Sequence, residues 1–214
     1  MERWATFDCY GTLIDWNGGI GRELERLFGA SHGGEQLRRY HDVEPQIQRE
    51  DPGRSYREVM AVALARLGAP AAEQDALGRS LPQWEPFPEV PAALEEARAR
   101  GWRLAVFSNT DRDFLDASLA RIGVEFEQTV VASEIGSYKP APAHWVEFFA
   151  RSGADRRQHV HIGASLFHDI APASSLGLRT IWVNRLGEEP EPQPDVELHS
   201  LAGLADSLDS LVSA

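Results

Sequence analysis

Asp8 closes an apolar run, Ala5-Thr6-Phe7, and is followed closely by Gly11-Thr12. A carboxylate that emerges where a buried strand gives way to a turn sits at the strand's C-terminal edge. Open α/β sheets bind their ligands at that edge, so Asp8 is a candidate nucleophile. Capping the turn that follows is the more ordinary use of such an Asp, and other residues must decide between the two. Cys9, beside it, is the only cysteine in the chain. Alternation along a strand turns Cys9 to the opposite face as a small core residue, and a single cysteine leaves no disulfide framework or multi-cysteine zinc site. The cluster Asn17-Gly18-Gly19-Ile20-Gly21 reads as a helix breaker, and it lacks the G-x-G-x-x-G spacing of a dinucleotide loop. His168 has the residue type of a general base. A histidine at a helix start touching solvent is the commoner case, and it is left outside the catalytic set.

These residues need a scaffold that brings distant segments to one edge. From Arg22 to about Leu81 the apolar positions recur at helical spacing (Leu24, Leu27, Phe28; Leu37, Tyr40, Ile47; Val59, Ala63, Leu64, Leu67), with no strand signal. The proline-rich run Leu81 to Pro88 reads as a stiff linker. Beyond it, helical and strand patterns alternate: a helix from Val90 to Arg100, a strand over Leu104-Phe107, a helix from about Asp113 to Ile122, a strand near Thr129-Val131 and a helix around Trp145 to Ala150. A strand over His159-Gly163, a helix from Asp169 to Leu176, a last clear strand over Arg179-Val183 and a helix from Leu201 to Leu211 complete the chain. Strands alternating with helices predict an α/β fold with a doubly wound parallel sheet of about five strands. The acidic, proline-rich Glu188–Glu197 segment reads as a surface loop.

The chain has 214 residues, enough for one α/β core with a modest insertion. Its net charge of −12 argues against nucleic acid, whose partners cluster Lys and Arg. No apolar run is long enough to span a bilayer, and the N-terminal residues carry no secretory pattern, so no membrane partner and a cytoplasmic location are expected. An anionic substrate would have to be drawn in by local positive charge. The sequence leaves a homodimer open.

The string Phe7-Asp8-Cys9-Tyr10-Gly11-Thr12-Leu13 resembles the first signature of the haloacid dehalogenase superfamily, in which the Asp after the first strand attacks the substrate and becomes a covalent ester. Phosphatases of that superfamily carry a second Asp two places on; Tyr10 stands there, as in the L-2-haloacid dehalogenase branch, whose halide leaves without a proton. The resemblance implies a Rossmann-like core of residues 1–14 plus 86–214 with a helical cap, residues 15–85. It also implies a catalytic set of Asp8, Thr12, Ser108, Lys139 and Asp169. Ser108 would hydrogen-bond the Asp8 carboxylate. Lys139, the chain's only lysine, would keep Asp8 ionised, since a nearby ammonium favours the charged form. Tyr10, Arg39, Asn109, Trp145 and Ser165 would contact substrate or halide, with Arg39 suited to a carboxylate by its bidentate fork.

In Gly163-Ala164-Ser165-Leu166-Phe167-His168-Asp169 the superfamily's metal-binding acid is replaced by Ala164, and magnesium needs oxygen ligands. Leu166 and Trp145 also depart from the branch, which has Asn and Tyr at these places. The implied activity is metal-independent hydrolysis of short 2-haloacids through an aspartyl ester, with no cofactor. A magnesium-dependent phosphatase and a catalytically idle binding protein on the same fold are the alternatives. Tyr10 and Ala164 argue against the first, and the intact Asp8, Ser108, Lys139 and Asp169 against the second.

Overall fold

The computed structural model describes residues 2–213. In chain order its elements are Arg3–Asp8 (β1), Trp16–Phe28 (α1), Gly33–Glu50 (α2), Tyr56–Leu67 (α3), Ala76–Ser80 (α4), Val90–Ala99 (α5), Trp102–Ser108 (β2) and Arg112–Ile122 (α6). Then follow Gln128–Val131 (β3), Ala132–Ile135 (α7), Ala143–Ser152 (α8), His159–Gly163 (β4), Ala171–Ser175 (α9), Arg179–Val183 (β5), Val196–Leu198 (β6) and Leu204–Leu211 (α10).

All strand pairings are parallel and the order is β3-β2-β1-β4-β5-β6. β1 therefore lies between β2 and β4, buried on both faces, which is why every residue from Arg3 to Asp8 is withdrawn from solvent. The topology reverses between β1 and β4, and the crevice beyond their carboxyl ends is where such sheets bind ligands. Asp8 ends one of these strands and Gly163 the other. At the opposite end Arg3 pairs with Asp209 at 2.7 Å and packs over Trp102, fixing α10 under the sheet.

Four helices, α1 to α4, separate β1 from the rest of the sheet, and no strand lies among them. Two details tie them to the sheet. Asp111, just before α6, accepts the free first-turn N–H groups of Tyr56 and Arg57 at 3.0 and 2.9 Å, while Ser55 and Glu58 close a capping box on the same helix. The outgoing and returning chains also meet: Ile14 bridges Pro86, Asp15 N–H donates to Glu85 and Phe87 N–H to Leu13.

Three sequence expectations change here. The Gly18-Gly19-Gly21 cluster is helical, inside α1. Asp15 caps that helix by accepting the Gly18 N–H at 2.9 Å, and Gly19 lies so close to the Trp84 ring that a Cβ would stand 2.3 Å from it. Close packing, not a turn, is what asks for glycine there. The Leu81–Pro88 stretch is not a free linker, since it opens with a 3-10 turn and pairs with Ile14. The segment read as a loop up to Glu197 ends in β6, a sixth strand added beside β5.

Candidate active site

Asp8 leaves β1 with its carboxylate held from two sides. Thr12 donates its hydroxyl to Oδ2 at 2.8 Å, and Lys139 donates from Nζ to Oδ1 at 2.8 Å. The Lys139 ammonium also donates to Asp169 Oδ1 at 2.6 Å and to the Phe107 carbonyl at 3.1 Å, so each of its three protons has an acceptor. Lys139 is 1% exposed, and an ammonium so far from water requires this degree of pairing. Two carboxylates share one cation, and they respond differently. Burial and the neighbouring Asp169 push Asp8 up to about 6 against the pull of Lys139 and Thr12. For Asp169 burial works in the same direction, but Lys139 and His161 outweigh it and hold the carboxyl well below the usual range. Both are ionised at neutral pH, and Asp8 is the more basic.

The loop after β4 is clamped to the same centre. Thr12 Oγ1 accepts the Ala164 N–H at 2.9 Å, and the Ser165 N–H donates to Asp169 Oδ2 at 3.3 Å. Gly163 is required by this approach, since a Cβ on it would lie 2.4 Å from that of Asp169. Asn109 grips the Lys139 backbone: its Oδ1 accepts the Lys139 N–H at 2.7 Å and its Nδ2 donates to the Lys139 carbonyl at 3.0 Å. It therefore sets the lysine's position besides facing the cavity. Ser108 does not meet its expectation. It is fully buried, and its hydroxyl has no partner.

A cavity of about 440 Å³ opens over Asp8. Asp8, Tyr10, Asn109, Lys139, Ser165, His168 and Asp169 line it from the sheet edge, and Trp16, Asn17, His41, Glu44, Gln48 and Tyr56 from the helices. Tyr10 spends its hydroxyl on Ser118 at 3.0 Å. Pro45 takes an N–H out of the α2 ladder where that helix passes the cavity. His41 stacks on Trp16 and donates from Nε2 to Asn17 Oδ1 at 2.9 Å. Glu44 is 8% exposed and accepts a long bond from Gln48, 3.4 Å; burial pushes it up to about 7 against the pull of the Tyr56 hydroxyl.

Arg39 and Trp145 lie outside this cavity. The turn of α2 that buries Tyr40, Glu44 and Ile47 puts Arg39 on the solvent face, where it donates to Gln36 at 3.0 Å. Trp145 is wholly buried behind the sheet against Phe107 and His161. Arg185, which the sequence reading passed over, lines the cavity instead. It donates to the Thr12 carbonyl at 2.8 Å, pairs with Glu89 at 2.8 Å and stacks on Phe87. Its place two residues after β5, at the ligand-binding edge, was the available signal.

The residues here do not fit a magnesium ion. The strand-end position offers the Ala164 methyl, the ammonium of Lys139 already bridges Asp8 and Asp169, and among the described residues no three His, Cys, Asp or Glu side chains converge as a metal cluster.

A family model described as haloacid dehalogenase-like hydrolase matches residues 3–177. The chain is 28% identical to an (S)-2-haloacid dehalogenase of Pseudomonas sp. (strain YL), over 94% of its own length and 91% of that protein's. A shorter match, 30% identical over 54% of the chain and 48% of the relative, is to a phosphoserine phosphatase of Thermus thermophilus. The L-2-haloacid dehalogenase from Xanthobacter autotrophicus superimposes with a TM-score of 0.81 at 18% identity, covering 96% of this chain and 98% of the other, and so shares the fold.

Proposed function

Because the chain belongs to the haloacid dehalogenase-like hydrolase family, we propose that it hydrolyses the carbon–halide bond of short 2-haloacids through an ester on Asp8, without a metal ion. The observation that carries this reading is the clamped carboxylate: Asp8 held between Thr12 and Lys139, with Asp169 on the far side of the lysine.

In the first step an Asp8 oxygen attacks C2 of the substrate in line with the halide, which departs with the bonding pair. A halide needs no proton, so Tyr10 in place of an acid costs nothing. Lys139 and Thr12 hold the nucleophile in one orientation, so little reorganisation is needed at the moment of attack. Asn109, anchored to the Lys139 backbone, has a remaining amide N–H for the departing halide. With Arg39 on the solvent face, the positive charge for the substrate's carboxylate comes from Arg185. Residues 15–85 serve as the cap and residues 1–14 plus 86–214 as the core, and the cap walls exclude bulk water from the ester.

A phosphatase reading draws on the shorter match to a phosphoserine phosphatase, but Tyr10 and Ala164 leave it without a proton donor and a metal ligand. The test is release of chloride from 2-chloropropionate and of phosphate from an aryl phosphate, each with and without EDTA. Chelator-insensitive chloride release is expected; chelator-sensitive phosphate release with no chloride would replace this reading by the phosphatase.

A further inference from the structure

An ester on Asp8 must be opened by water, and something must take the proton of that water. The groups already wired into the centre are poor choices. Asp8 is itself the esterified group. Lys139 has no lone pair while its protons are shared among Asp8, Asp169 and Phe107. Asp169 is committed to Lys139 and to the Ser165 N–H. On the helix side, His41 and Glu44 belong to α2, across the cavity from the strand ends.

His168 is different. It lies in the wide, π-helical turn Leu166–Ile170, next in sequence to Asp169, and lines the cavity with Asp8 and Lys139. That turn is tied to the centre through Thr12–Ala164 at one end and Asp169–Lys139 at the other. Its ring is also fixed: Ser165 Oγ accepts the His168 backbone N–H at 3.0 Å and lies 3.1 Å from Nδ1. When Nδ1–H donates to Ser165, Nε2 keeps its lone pair. Among the described residues no side chain takes up Nε2.

We propose that His168 is the general base of the hydrolytic half-reaction, its Nε2 removing a proton from the water that attacks Cγ of the Asp8 ester. The proposal rests on the dehalogenase reading above. As the water oxygen bonds to Cγ, one of its protons passes to Nε2 and the carbonyl becomes an oxyanion. Collapse breaks the bond from Cγ to the substrate oxygen, and the imidazolium returns its proton to that oxygen, releasing the 2-hydroxy acid. The water's other hydrogen stays on the Asp8 carboxyl and is lost to solvent, which restores the nucleophile. Burial, partly opposed by Asp169 and reinforced by Lys139, lowers His168 to about 4, so the ring is neutral throughout the neutral range.

The experiment separates the two half-reactions. Wild type, His168→Gln and Ser165→Ala are each mixed with excess 2-chloropropionate, the first-turnover chloride is followed by quenched flow, and the protein is weighed intact by mass spectrometry. Removing a general base costs about 10²–10⁴-fold. His168→Gln should therefore keep a chloride burst of one equivalent, lose at least about 100-fold in steady-state turnover, and accumulate the substrate-derived ester on Asp8. Ser165→Ala, which frees the ring without removing it, should show the same pattern to a smaller degree. If both variants turn over like wild type, or lose burst and turnover together with no ester, His168 is not the base. If wild type itself gives neither burst nor turnover, the dehalogenase reading falls and this proposal with it.

Discussion

The two walls of the cavity are built on opposite electrostatic terms. At the strand ends every charge is matched at short range: Lys139 contacts Asp8 and Asp169 at 2.8 and 2.6 Å, and Thr12 completes the nucleophile's shell. Across the cavity, on α2, the buried Glu44 carboxyl has only neutral partners among the described residues, the Gln48 amide at 3.4 Å and the Tyr56 hydroxyl. The first wall splits its two carboxyls, holding Asp169 ionised while Asp8 is pushed up to about 6, and the second pushes Glu44 toward its neutral form. Asp8 on one wall and Glu44 on the other are thereby the carboxyls raised toward neutrality, while Asp169 between Lys139 and His161 stays charged.

The comparison breaks most severely at Asp8. Asp8→Asn keeps the shape and removes the nucleophile, and halide release should fall by about four orders of magnitude or more with the fold intact by circular dichroism. Activity near wild type would show that the matched charges serve stability alone. Lys139→Met leaves two buried carboxylates with no cation between them, so urea denaturation should show a loss of about 3–5 kcal/mol at neutral pH. A loss below about 1 kcal/mol, in the range of an exposed pair, would mean that water reaches this wall freely.

Glu44 tests the other wall. Its folded pKa, about 7, lies above the ordinary 4.5, so the folded protein holds this proton more tightly. The stabilisation is complete below pH 4.5 and is lost as pH rises to about 7. Glu44→Gln mimics the protonated state at every pH. It should match wild type near pH 4.5 and exceed it by up to about 3 kcal/mol above pH 7. A pH-independent difference between the two, followed by thermal or urea unfolding, would show that Glu44 is solvated. Least affected should be Arg39→Ala, which removes an exposed side chain bonded only to Gln36 and should change stability by no more than about 0.5 kcal/mol. Its KM for 2-chloropropionate should stay within a factor of two; a tenfold rise would return Arg39 to the substrate.

Much of the first wall was legible in the sequence, because its residues sit at strand ends and turns, where residue type and position are coupled. Asp8, Thr12, Lys139 and Asp169 converge as the motifs required. The second wall was not legible, since a polar residue on a helix is ordinarily assigned to solvent. The spacing of Tyr40 and Ile47 does place Glu44 on the buried face and Arg39 off it, but the charge on Glu44 hid that signal. Phase also misplaced Trp145, whose ring belongs to the core on the back of the sheet. Ser108 is a separate case: it ends β2 beside the site, but its buried hydroxyl makes no bond to the Asp8 carboxylate. The fold's alternation was visible throughout, yet β6, three residues long at the sheet edge, carries too short a pattern to stand out.

The central position of β1 also sets the order in which the protein can be made. Its neighbours lie about a hundred residues later in β2 and about a hundred and fifty later in β4, so its ladder closes only over very long loops. At a synthesis rate of roughly 5–20 residues per second, the strand that bears Asp8 waits on the order of five to twenty seconds for its first partner. The α1–α3 contacts, being local, form in that interval. In pulse-labelled hydrogen exchange during refolding, the amides of α1–α3 should gain protection before those of β1; simultaneous protection would show that the sheet nucleates first.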